Sequence, residues 1–209
     1  MRFSIKSNLY GRWGIHAELS EYDAVPPVLN VAYEATPLKL NPEVEAAALT
    51  LLFGRFSGGE MEFAHKVGPN TAKAIQRYLE PTIGFISPIE YYPKALPLGG
   101  METLVKEEDA FQSDGSAFIS LRSDQFNGAV KSQRAMAVAN NSFVLKQDAD
   151  DIRPALASAM LFAEDLEVET FVVSQNAIIN FEEVRRLLSA VRINLVTETQ
   201  IQITGSKSG

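Results

Sequence analysis

The sequence predicts an α/β protein in which a C-terminal βαβαβ layered sheet is joined to a smaller mixed α+β N-terminal region. Three observations carry that expectation. Short apolar segments and amphipathic segments alternate over residues 143–199. The amphipathic segments are long enough to cross back over a sheet, so the strands between them can lie parallel. The first third alternates instead with period two, as antiparallel strands do.

In the C-terminal half the expected order is strand Phe143–Lys146, helix Ile152–Leu166, strand Val168–Ser174, helix Phe181–Val191 and strand Ile193–Thr197. Near the start, Phe3 and Ile5 alternate with Arg2, Ser4 and Lys6. After a turn at Asn8–Gly11, Trp13, Ile15, Ala17 and Leu19 repeat the pattern. These two runs read as an antiparallel pair, with a third strand at Val28–Tyr33 after Pro26-Pro27.

Asn41 opens a helix expected over Pro42–Phe53. Asn41 can cap, Pro42 fits the first helical position, and Glu43 meets the positive end of the dipole. Gly54 stands where a left-handed residue would end the helix. The alternative is a strand over Thr50–Phe56 turning at Gly58-Gly59. A strand through Met61–Val67, a helix near Asn70–Leu79 stopped by Pro81, and an extended segment Ile83–Ile89 follow.

Residues 93–115, rich in proline, glycine and acidic side chains, read as a linker or flap. The expected organisation is therefore 1–92, this linker, an α/β region 116–204, and a tail 205–209. Ala117–Leu121 is expected as a strand and Ser123–Lys131 as loop. Ser132–Ala139 fits either a short helix or the first arm of a hairpin turning at Asn140-Asn141. No internal repeat is evident.

Composition narrows the function classes. With 209 residues and 46% hydrophobic content the chain can bury a proper core. A net charge of −7 argues against non-specific attraction to nucleic acid or anionic lipid. The absence of cysteine removes disulfides, thiolate catalysis and Cys-ligated metal. Two histidines, His16 and His65, leave little for a multi-histidine metal centre, and neither metal nor cofactor is expected. The N-terminus has no signal-peptide run, and no stretch approaches about 20 apolar residues, so a soluble, cytoplasmic protein is expected.

Each candidate site also has an ordinary reading. Ser57-Gly58-Gly59 resembles phosphate-cradling turns only in composition, because a helix precedes it and a strand follows. His65 shares a strand face with Met61, Phe63 and Val67, which suits a packed histidine better than a general base. Asp148, Asp150 and Asp151 sit where acidic residues cap a helix, with Pro154 in its first turn. Ser174-Gln175-Asn176 follows a central strand, where ligands bind in open α/β sheets. Arg185, Arg186 and Arg192 read as a solvated face.

Two functions follow. The first is a non-catalytic accessory or binding subunit of a soluble complex, acting through protein–protein contacts or as a homo-oligomer, with Tyr91, Tyr92, Leu96 and Leu98 as interface candidates. The second is an α/β enzyme or ligand-binding protein acting on a small nucleotide-like substrate in a cleft between the two halves. Its candidate residues are Arg55, Ser57, Gly58, Gly59, His65, Ser174, Gln175 and Asn176.

Overall fold

A computed structural model of the chain describes residues 1–7, 12–92, 96, 99–107, 115–174 and 180–199. The protein is a mixed α/β structure, with eleven strands in one sheet and four α-helices among the described residues. The first half contains β1 (Arg2–Ser7), β2 (Trp13–Glu18), β3 (Asn30–Tyr33), α1 (Pro42–Phe53), β4 (Gly59–Val67), α2 (Pro69–Tyr78) and β5 (Ile83–Ile89). The second contains β6 (Met101–Glu107), β7 (Ala117–Arg122), β8 (Ala129–Lys131), β9 (Ala135–Asn140), α3 (Arg153–Leu161), β10 (Val168–Val173), α4 (Phe181–Ala190) and β11 (Asn194–Thr197).

The strands run β11-β10-β6-β7-β9-β3-β2-β1-β4-β5, with β8 paired to β9. Either side of the β9–β3 join, the halves use the same spatial order: the first strand lies between the second and the strand that follows the first helix. Strand directions differ, since β1, β2 and β3 are antiparallel while β6, β7 and β9 are parallel. At the join Tyr33 pairs with Asn140. The Asn141 side chain extends the seam, accepting from Ala32 N–H at 2.8 Å and donating to the Asn30 carbonyl at 3.0 Å.

All helices serve one principal core. α1 packs antiparallel to α3, and both are buried on every side: Glu43–Phe53 in one and Pro154–Leu161 in the other. Runs of alanine (Ala46, Ala47, Ala48; Ala155, Ala157, Ala159) permit that close approach. α2 packs on β5 and α4 on β11, strands at opposite ends of the sheet, yet α2 and α4 touch each other. The sheet therefore curls around α1 and α3, a stronger version of the twist that any sheet carries. A smaller apolar layer on the opposite face joins Ala117, Ile119 and Leu121 to Ala135, Ala137 and Ala139, with Leu104 and Phe126 packed against it. Among the described residues, no helix is long and apolar enough to cross a membrane.

Several local expectations are corrected. Phe143–Lys146 is not a strand: Ser142–Leu145 forms a 3-10 turn, because Asn140 Oδ1 accepts from both the amide and the hydroxyl of Ser142, at 3.0 and 2.6 Å. Its place in the parallel layer is taken by β6, from the stretch expected as linker; β6 pairs with both β10 and β7. The helix expected over 152–166 ends at Leu161. Gly54 is right-handed (φ −55°, ψ −38°), and the chain continues into a 3-10 turn, Gly54–Phe56, rather than ending on a left-handed cap. Asn41 does cap α1, its Oδ1 accepting from Glu43 N–H at 2.9 Å. Ala135–Asn140 is a strand, the second arm of a hairpin from β8 rather than the first arm of one turning at Asn140-Asn141.

Because the core runs through both halves, unfolding should be one cooperative event. The fluorescence of Trp13, the sole tryptophan, and far-UV circular dichroism should give superimposable urea transitions. Phe118→Ala, in the second half, should lower both together by about 3–5 kcal/mol. Two separated transitions would mean independent halves.

Candidate functional site

The polar residues gather at the two ends of α1. At its C-terminal end, the turn Gly54–Phe56 brings Arg55 against the second half. Arg55 Nη2 donates to the carbonyls of Leu145 and Lys146 at 3.0 and 3.1 Å, and its guanidinium lies 4.5 Å over the Phe56 ring. Beside it, Arg153 opens α3 and holds Asp151 bidentately, Nε to Oδ1 at 2.7 Å and Nη2 to Oδ2 at 2.8 Å. The Arg153 guanidinium also donates to Gln147 Oε1 at 2.9 Å, and its charge acts on the nearby Tyr78 phenol. Asp151 accepts in addition from the amides of Gln147 and Arg153, at 3.0 and 3.1 Å. It thus finishes the start of α3, as its sequence position implied.

Ionisation follows from these contacts. Burial opposes the Asp151 carboxylate, but Arg153 and the amide donors outweigh it and hold its pKa below the usual value of 3.8. Burial, followed by the neighbouring Arg153 cation, depresses Arg55. Tyr78 is raised, chiefly by burial. These groups line a cavity of about 240 Å3 whose other walls include Asn180 and Glu183 at the start of α4. It adjoins a larger cleft of about 700 Å3 along α2 and α4; Tyr78 and Glu183 line both.

At the N-terminal end of α1, two acidic side chains are buried. Glu43 accepts from Gly68 N–H at 2.7 Å, and Glu45 Oε2 lies 2.6 Å from His65 Nδ1. Glu43 Oε2 and Glu45 Oε1 have no hydrogen-bond partner. Burial raises the Glu45 carboxyl above 4.5, with the His65 hydrogen bond and charge opposing it. The His65 side chain is 48% exposed while the Glu45 side chain is 1% exposed, so the ring lies between Glu45 and solvent. That is a workable geometry for proton transfer, but the pair is about 15 Å along α1 from Arg55 at 1.5 Å per residue. The sequence candidates His65 and Arg55 are not brought together. Among the described residues no set of three His, Asp or Glu side chains could hold a metal ion.

The remaining candidates fall elsewhere. Ser57 is buried and donates to the Phe53 carbonyl at 3.3 Å. Gly58 N–H donates to Asp23 Oδ1 at 2.9 Å, and Asp23 Oδ2 is 2.9 Å from the Met1 amino group. A Cβ at Gly58 would meet the Tyr22 carbonyl oxygen at 2.1 Å, and Gly59 has φ +130°, so the glycine pair is required by packing and backbone shape. Ser174 is exposed at the end of β10; Gln175 and Asn176 lie outside the described residues. Tyr91 and Tyr92 are 77% and 84% exposed, Leu96 is half-buried, and Leu98 lies outside the described residues.

Sequence reasoning singled out Arg55 but missed Arg153, Tyr78 and Glu45, whose partners are set by tertiary contact. The fold and these two clusters define an α/β protein with a cavity bounded by both halves. No family model, no curated protein and no solved structure matches the chain.

Asp151→Ala should cost about 3 kcal/mol by leaving the Arg153 charge unpaired. Since the folded Asp151 value lies below the ordinary 3.8, the stability it supplies is complete above that pH and lost as pH falls through the folded value. In an acid titration of the thermal midpoint, the variant's loss below 3.8 should therefore be shallower. Glu45 has the opposite sign: with a raised value, its ionised form costs stability above the folded pKa, and that cost disappears toward 4.5. Glu45→Gln should flatten the pH dependence between 7 and 4.5 in the same titration, without lowering the midpoint at pH 7.

Proposed function

We propose that the protein is a non-catalytic binding subunit that recognises a protein partner through an aromatic rim at the β5 edge. The observation that carries this is the exposure of three large rings within one short segment: Phe85 at 72%, Tyr91 at 77% and Tyr92 at 84%. Single exposed apolar residues are ordinary, but clustered aromatic rings are the usual anchors of an interface. They follow one another along and just beyond β5, which among the described residues has β4 as its one neighbour in the sheet. Pro88 lacks an N–H, which makes the end of that strand a poor template for adding another, so recognition falls to side chains.

The candidates for covalent chemistry support the same reading by being engaged inside the fold. Ser57 bonds the end of α1, Gly58 holds Asp23, and His65 covers Glu45. Glu90 beside the tyrosines, and the net charge of −7, favour a partner whose apolar centre is rimmed by basic side chains.

Light scattering on the eluting protein, with affinity capture from the source cells, tests the proposal. A retained partner is expected. Tyr91→Ser with Tyr92→Ser should release it while changing stability by no more than about 0.5 kcal/mol, as exposed positions do. A monomer that retains nothing, or a double variant that captures the same partner equally well, would count against it.

A further inference from the structure

We propose that the cavity between the C-terminal end of α1 and the N-terminal ends of α3 and α4 binds the oxyanion head of a small molecule, a phosphate or carboxylate, through Arg55 and Tyr78. This goes beyond the partner-binding reading and does not depend on it: a chain that captured no protein could still hold the anion. It gives the small-molecule alternative a definite place between the halves.

Two guanidinium groups, Arg55 and Arg153, face one cavity, and Asp151 is spent on Arg153. The remaining carboxylates lining it, Glu80 and Glu183, are both exposed and ion-pair with neither arginine. Water screens such rim charges more strongly than it screens the partly enclosed cations. An anion placed beside Arg55 would relieve the repulsion between the two arginines.

A guanidinium carries five N–H groups. Arg55 Nη2 is used by the Leu145 and Lys146 carbonyls, and its Nε and Nη1 have no protein partner among the described residues. The two carbonyls and the Phe56 ring fix the plane of the group, so little freedom is left to lose when a ligand docks. Tyr78 lines the same cavity beside the Arg153 guanidinium, so its hydroxyl can donate to an anion held there. Arg153, committed to Asp151 and Gln147, adds charge beside the phenol.

α4 begins at Asn180 without a side-chain cap among the described residues; the Glu183 amide bonds the Asn180 carbonyl at 2.9 Å, and the positive end of this ten-residue helix stands at the same cavity wall. About 240 Å3 accommodates a phosphate or carboxylate head. The adjoining cleft of about 700 Å3, with Ala74 and Leu187 in its walls, leaves room for an organic body attached to that head.

The test titrates the full chain with inorganic phosphate and, separately, with succinate, at ionic strength held constant with sodium chloride. Thermal midpoint and heat of binding are read together. Saturable stabilisation by at least one of the two is expected. A response to phosphate alone assigns a phosphoryl head, and a response to succinate alone a carboxylate; either supports the site. Arg55→Gln should weaken binding roughly tenfold or more, and Tyr78→Phe several-fold, as expected for losing a hydrogen bond to a charged group. Circular dichroism checks that both variants fold, and Tyr78→Phe decides the matter alone if Arg55→Gln does not. The site is overturned if neither anion gives a saturable response, or if the folded variants bind as tightly as the parent chain.

Discussion

The contact between α1 and α3 is the constraint from which the rest of the structure follows. Two antiparallel helices buried on every side cannot use an ordinary amphipathic pattern, and their sequences show none: alanine dominates wherever the backbones must approach. Burial all round also requires cover on every side. The curved sheet supplies most of it, and the strongly two-faced helices α2 and α4 close the remainder. Polar groups caught inside are paired in turn. Ser158 Oγ donates to the Pro154 carbonyl at 2.8 Å and meets the Tyr33 hydroxyl at 3.3 Å. Burial of that phenol pushes its ionisation well above the ordinary range, so it serves as a neutral strut.

The chemistry of the molecule is displaced to the helix ends by the same constraint. Where α1 finishes and α3 begins, a basic cluster forms around Arg55 and Arg153. Where α1 begins, Glu43 and Glu45 enter the protein beside the end of β4, and His65 closes over one of them. The two clusters are kept apart by the length of a helix. The basic end opens into a cavity, while the acidic end is sealed by Gly68 and His65. That difference is why the anion site is placed at one end and a structural role at the other.

Much of the architecture is legible in the sequence because its signals are local. Asn41-Pro42-Glu43 marks the start of α1, and the alternation of Phe3, Ile5, Trp13 and Ile15 marks the first hairpin, confirmed by the register Ile5↔Ile15. The strand Ile83–Ile89 survives its internal proline because it lies at the sheet edge. The misreadings have physical causes. Phe143, Val144 and Leu145 are good strand formers, but the Asn140 side chain captures the Ser142 amide and curls the chain. β6 is central although Gly99-Gly100 and a run of acidic residues bracket it, so composition spoke for a linker while pairing with β7 and β10 decided otherwise. Of the site, Arg55 was visible in sequence. What makes it interesting, the second guanidinium and the phenol beside it, depends on which helix ends meet, and no spacing encodes that.

Amide hydrogen exchange tests the shared core most directly. If α1 and α3 depend on one another for cover, the slowest amides of both should exchange at the same free energy, that of global unfolding. Leu49 and Leu52 in one helix and Leu156 and Met160 in the other, all fully buried, are the positions to read. Slow exchange in one helix, with the other released at several kcal/mol less, would mean that the halves open separately and that the central contact does not hold the fold together.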